Sequence, residues 1–197
     1  MQLYYSLASL ASIVLTVVAY VPYIKGIYLR QVKPHFFSWI IWSLTTSIVF
    51  FAQVSAQGGA GAWPTAVSAL ITIYVAGLAW HLKSDISVTA LDRWFFGASL
   101  ASLPVWFLTA DPFLSVVILT TVDTLGFGPT LRKLLRYPHE ESLLFYALFA
   151  LRSLLSVLAL ESRNPTTMLF PVVMVIACVL VCGLLIWRRR QLTLLAR

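Results

Sequence analysis

The sequence is short of charge. Only 11% of its 197 residues are Asp, Glu, Lys or Arg, against 60% apolar residues, where an average soluble domain carries roughly 25% charged residues. That shortage excludes a water-soluble globular protein. Cysteine is scarcer still, with Cys178 and Cys182 alone. Four apart on one helical face, they make a poor disulfide, and two thiols without other ligands make a poor metal site. A disulfide scaffold and a metal centre are both excluded, and the pair is expected to pack. Asparagine occurs once, as Asn164, and histidine three times. No serine-histidine-acid set, phosphate-binding loop or zinc-ligand spacing is present, so neither an enzyme nor a cofactor is expected.

What the chain has is apolar length. A membrane-crossing helix needs about 20 mostly apolar residues, whereas the apolar core of a signal peptide has about 7 to 15. By that measure there are seven spans, near 3–24, 36–56, 63–82, 94–109, 112–131, 142–160 and 168–187. The first is too long, and too poor in preceding basic residues, for a cleavable signal. The expected fold class is therefore an all-α integral membrane protein with a lipid bilayer as its surroundings.

The net charge of +7 does not point to nucleic acid, because the basic residues are unevenly placed. Lys25, Arg30 and Lys33 follow span one, and Lys83 and Arg93 follow span three. Arg132, Lys133 and Arg136 follow span five; Arg188, Arg189, Arg190 and Arg197 follow span seven. Twelve of the fourteen thus fall on one side, leaving Arg163 in the loop after span six and Arg152 inside that span. The positive-inside rule makes that side cytoplasmic, with the amino terminus outside and the carboxyl terminus inside a plasma membrane such as a bacterial inner membrane.

The chain also repeats itself. At an offset of 107, Pro22 maps onto Pro129, Pro64 onto Pro171, Trp80 onto Trp187 and Lys83 onto Arg190. Spans three and seven both read as an aromatic residue, proline, fifteen residues, tryptophan, two residues and a base. Residues 1–82 and 112–197 are then two three-helix units, and 83–111 holds a linking fourth span. An odd linking span makes the two units parallel, and the basic loops of both on one side agree with that.

A proline near the inner end of the first helix of each unit, a short basic loop and a three-plus-one-plus-three order resemble the SWEET and PQ-loop superfamily. The local motif differs: Pro22-Tyr23 and Pro129-Thr130 stand where that group has proline-glutamine. Asn164 lies in a loop, whereas sugar-carrying members use asparagines in the third helix of each unit. The PnuC-like vitamin transporters, also three-plus-one-plus-three and rich in tryptophan, are a second likeness, faintly matched by "SWIIW" at 38–42. The resemblance implies a small-solute transporter working by alternating access, or a non-transporting receptor or accessory subunit of the same fold, as in its KDEL-receptor branch. Self-association of copies is left open.

Several residues could carry such a function. Pro22 and Pro129 each remove a backbone donor near a helix end, which suits a hinge or a plain helix terminus. Pro34 and Pro138 are expected in the first turns of the helices that follow. Asp123 lies eleven residues into span five and Arg152 ten into span six, so at about 1.5 Å per residue both reach the middle of the bilayer. An ionisable residue there costs at least about 2.5 to 3.5 kcal/mol and is usually functional. At that depth the two could meet, as a polar substrate site or as a structural ion pair. Trp39, Trp42 and Gln53 on span two, with Thr45 and Thr46, offer aromatic walls and polar groups for a small polar or amphipathic solute; Trp39 also suits an interfacial anchor. Trp80 and Trp187 read as anchors. His35 and His139, equivalent in the two units, could form an inner gate, while Asp111, Glu161 and Arg163 read as solvated loop residues.

Overall fold

The polarity of the first helix is inside out. Leu3, Leu7, Leu10, Val14, Val17 and Val21 are exposed, while Ser9, Ser12 and Thr16 are buried. Both sets recur every three or four residues, as one face of a helix requires. A helix that turns its leucines outward and its hydroxyls inward suits lipid rather than water, because lipid tails solvate the leucines and helices associate through small and hydroxyl-bearing faces.

The computed structural model describes residues 2–30, 34, 36–82, 90–136, 138 and 142–195. Among these, the chain forms seven α-helices and no strand: α1 (Gln2–Tyr28), α2 (Phe36–Ser55), α3 (Trp63–His81), α4 (Ala90–Thr109), α5 (Pro112–Arg136), α6 (Leu143–Leu158) and α7 (Pro165–Leu195), with a short 3-10 turn at Gly59–Ala62. Four segments are long and apolar enough to cross a membrane: Gln2–Tyr28, Phe36–Ser55, Gly59–His81 and Pro165–Leu192. The apolar parts of α5 and α6 are shorter, Pro112–Leu125 and Leu143–Leu158.

Capping chemistry explains where the later helices start. The Asp111 side chain accepts a hydrogen bond from Phe113 N at 2.8 Å, with Pro112 in the first helical position of α5. Asp111 is exposed, as expected of a solvated loop residue, and has this capping role besides. Ser142 Oγ accepts from Phe145 N and caps α6. At α7, Asn164 Oδ1 accepts from Thr167 N and Thr167 Oγ1 accepts from Asn164 N, a reciprocal cap followed by Pro165. Each arrangement satisfies a helix-start donor that has no partner within the helix. Pro34 and Pro138 fall short of the expected first turns: Pro34 lies two residues before Phe36, and Pro138 lies four before the cap Ser142.

Successive helices run antiparallel, which gives the bundle two ends. At one, the loops after α2 and α6 meet each other and the start of α1, as Ser9 Oγ donating to Ala60 O and Glu161 N donating to Gly58 O attest. It is called the glycine end below. At the other, basic end, Arg188 donates to Leu135 O and Arg189 to Pro138 O. α2 packs on α3 and α5 and also touches α4 and α7. Around it lie three apolar clusters. Ile48, Val49 and Ala52 pack with Val116, Leu119, Phe170 and Met174; Tyr20 and Ile27 pack with Trp39, Val75 and Ala76; Leu134 and Tyr146 pack with Cys178, Val181 and Leu185. The α7 seam Phe170, Met174, Cys178, Val181 and Leu185 steps by three or four residues, and both cysteines are free. Trp80 and Trp187 are exposed, as anchors in a lipid boundary would be.

Candidate functional site

Arg152 is 2% exposed and Asp123 7% exposed. Arg152 sits on α6 with its backbone fixed by α1, since Ser12 Oγ donates to Arg152 O at 2.7 Å. Its guanidinium reaches α3: Nη1 donates to Ser68 Oγ at 3.0 Å and to Pro64 O at 3.4 Å. The Phe149 ring lies beneath it, with Cζ 4.4 Å from the ring centroid, close enough for cation–π attraction. Nε has no partner. On α5, the Asp123 carboxyl faces Thr45 of α2, and its Oδ1 has no partner among the described residues.

The two charges do not join each other by an ion pair or hydrogen bond among the described residues. Tyr20 of α1 lies within electrostatic reach of both, and Cys178 of α7 within reach of Arg152. Around Tyr20 the rings of Trp39, Phe145 and Phe149 stand edge-on, with centroids 6.0 to 6.3 Å away. Thr46 and Thr72 bring their hydroxyls to 3.3 Å of one another between α2 and α3. Among the described residues, the interior thus holds a guanidinium and a carboxyl group, each with a polar atom left over, beside aromatic rings and hydroxyls. Such groups in a low-dielectric interior bind a complementary partner strongly, because the cost of leaving them unpaired is high.

The remaining candidates distribute as follows. Trp39 is buried against Tyr20, Tyr23 and Trp42, which places it inside the bundle and not at an anchoring surface. Trp42 is half-buried beside it. Gln53 is fully buried, and its Nε2 donates to Thr167 O of α7 at 3.1 Å, while Oε1 lacks a partner. Pro22 lies within α1, which continues six residues beyond it. Pro129 falls within the helical run of α5, but its side chain lies outside the described residues, as do His35 and His139 altogether. No cluster of metal-ligating side chains occurs among the described residues.

A second polar assembly was not legible in the sequence. At the glycine end, Glu161 Oε1 accepts from Ala60 N at 3.0 Å, Ser156 Oγ donates to Gly61 O at 3.0 Å, and Asn164 Nδ2 donates to Ala56 O at 2.9 Å. Gly59 has φ +58°, and a Cβ there would come within 2.3 Å of the Glu161 side chain; one at Gly61 would come within 2.6 Å of Leu160 N. Glycine lets the two loops close to this distance. Glu161 is exposed, as expected of a solvated loop residue, and it also clasps the neighbouring loop. An open groove of about 640 Å³ runs beside this clasp, lined in part by Ser6, Ser9, Trp63 and Glu161, and it shares no lining residue with the Asp123 and Arg152 core. Set against known proteins, the chain matches no family model, no curated protein and no solved structure.

Proposed function

We propose that the chain is a seven-helix carrier of a small polar or amphipathic solute, built as two parallel three-helix units, 1–82 and 112–197, joined through the linker and α4 at 83–111. The order of helix packing supports this arrangement. α2 on α3 is matched by α6 on α7, α1 on α3 by α5 on α7, and α1 on α6 by α5 on α2, while α4 docks on α5 and α2 outside that pattern. These are the pairs that a twofold relation between the units requires. The glycine end faces outside and the basic end the cytoplasm, following the distribution of lysine and arginine.

The observation that carries the reading is the pair of buried and mutually unpaired charges at the junction of the units, with Tyr20 contributed by the first and Asp123 and Arg152 by the second. Ionisable residues are retained at such depth chiefly where a solute or ion is bound, and carriers of repeated architecture hold their sites near the bilayer midplane between the repeats. Uptake into proteoliposomes tests the proposal. Asp123→Asn and Arg152→Ala should each abolish flux of the transported solute while the protein remains folded in detergent. The alternative, a receptor of the same fold, gains weight from the hydrogen-bonded clasp that ties the units at the glycine end. Saturable binding without flux across a broad solute panel would establish that alternative.

A further inference from the structure

We infer that the solute held between Asp123 and Arg152 is a zwitterion, with an anionic head at Arg152 and an ammonium at Asp123. This deepens the reading given under Proposed function and rests on it for the location of the site. The argument begins with what each charge lacks. Among the described residues, Arg152 is neutralised by no carboxylate; its acceptors are the Ser68 hydroxyl and the Pro64 carbonyl, and Nε is left over. Among the described residues, Asp123 has the Thr45 hydroxyl before it, and Oδ1 is left over. Had the two formed an ion pair, each would have satisfied the other and no charged ligand would be needed.

Unpaired with each other, and both within electrostatic reach of Tyr20, they call for two opposite charges from elsewhere. A solute with one charge would satisfy one residue and leave the other exposed to the full cost of burial. A zwitterion brings both and adds no net charge to the interior. The Phe145, Phe149 and Trp39 rings around Tyr20 supply apolar walls for the carbon segment between the heads. Thr120 Oγ1, one helical turn from Asp123 and also without a partner, is a further acceptor for an ammonium.

The test is equilibrium binding to the purified full-length protein, followed by isothermal calorimetry and by shift of the thermal midpoint. The probes are glycine, β-alanine and γ-aminobutyrate, with butyrate and butylamine as single-charge controls. At least one amino acid of the series should bind saturably, with butyrate and butylamine weaker by about tenfold or more, as loss of one buried charge contact implies. Asp123→Asn should erase the preference for the amino acid over butyrate, and Arg152→Met the preference over butylamine. Thr45→Val keeps both charges and should weaken only the ammonium-bearing probes, so it remains informative if a charge variant fails to fold. Wild-type binding of butyrate or butylamine as tight as that of the amino acids would overturn the inference, as would failure of the whole series to bind. Amino-acid binding without flux would overturn the carrier reading and leave the site standing; flux of a singly charged or neutral solute would do the reverse.

Discussion

At the scale of single residues, the interior is organised by backbone carbonyls that prolines set free. Pro171 lies inside α7, and a proline there cannot donate to the carbonyl four residues earlier, Thr167 O. Gln53 Nε2 from α2 takes that carbonyl instead. At the position equivalent by the offset of 107, Pro64 cannot donate to Ala60 O, which accepts instead from Trp63 N in a tighter turn and from Ser9 Oγ at 2.7 Å. Gln53→Leu should therefore destabilise the protein by about 1 to 3 kcal/mol, the cost of a buried acceptor left alone. Pro171→Ala, which restores the helical donor, should recover most of that loss in the double variant. A thermodynamic cycle on the four proteins measures this coupling, and strictly additive effects would refute the link. The prolines were plain in the sequence. Their partners were not, because nothing local indicates which neighbouring helix will carry the compensating donor, and Gln53 and Thr167 are 114 positions apart. Gln53 accordingly reads in the sequence as a ligand-binding group, whereas half of its amide is occupied in holding α2 to α7.

At the scale of helices, the existence and order of the elements were legible and their ends less so. The expected span 3–24 became α1 at Gln2–Tyr28 because Pro22 did not stop it. Pro22 is exposed, so its ring projects from the bundle and the Val18 carbonyl it frees lies on the lipid-facing side, where Val18 itself is exposed. The expected span 168–187 became α7 at Pro165–Leu195, since the Asn164 cap starts it earlier and the basic residues at its far end continue it past the apolar part. Which face of each helix turns inward was hidden, for leucine contacts lipid and protein with nearly equal ease. Pro22→Ala gives α1 one more backbone hydrogen bond, and a helix-interior proline costs about 3 kcal/mol or more. The variant should melt at a higher temperature and show slower amide exchange over residues 18–28. If Pro22 is a hinge, solute flux should also fall while binding is unchanged; flux equal to wild type, with raised stability, would reduce Pro22 to a kink.

At the scale of the whole molecule, rare charges revealed the candidate site and topology concealed its arrangement. Asp123 and Arg152 are conspicuous because an apolar chain has few reasons to hold them. Depth along a helix follows from counting residues, so both were expected near the middle. Whether they pair depends on how α5 and α6 are rotated about their own axes, and here they are directed to different partners, Thr45 and Ser68. Orientation is tested with single cysteines in a protein whose Cys178 and Cys182 are replaced by alanine. Arg163→Cys, exposed beside the glycine-end clasp, should react with a membrane-impermeant maleimide on intact cells, and Arg190→Cys, exposed at the basic end, should react only after permeabilisation. The opposite pattern would invert the proposed topology.

The hydroxyl groups of the interior carry a consequence for how the protein is made. Thr16, Ser43, Thr46, Ser99 and Ser153 each donate to the carbonyl four residues earlier in their own helix. A helix whose hydroxyls are satisfied internally can leave the ribosome-bound insertion machinery and enter lipid by itself, before any neighbour exists. Asp123 and Arg152 have no such self-sufficiency, so the entry of α5 and α6 into the bilayer depends on helices already there. For Arg152 those helices are α1 and α3, which the ribosome has finished long before α6 emerges. The order of the chain thus delivers the receiving surface first and the costly side chain last.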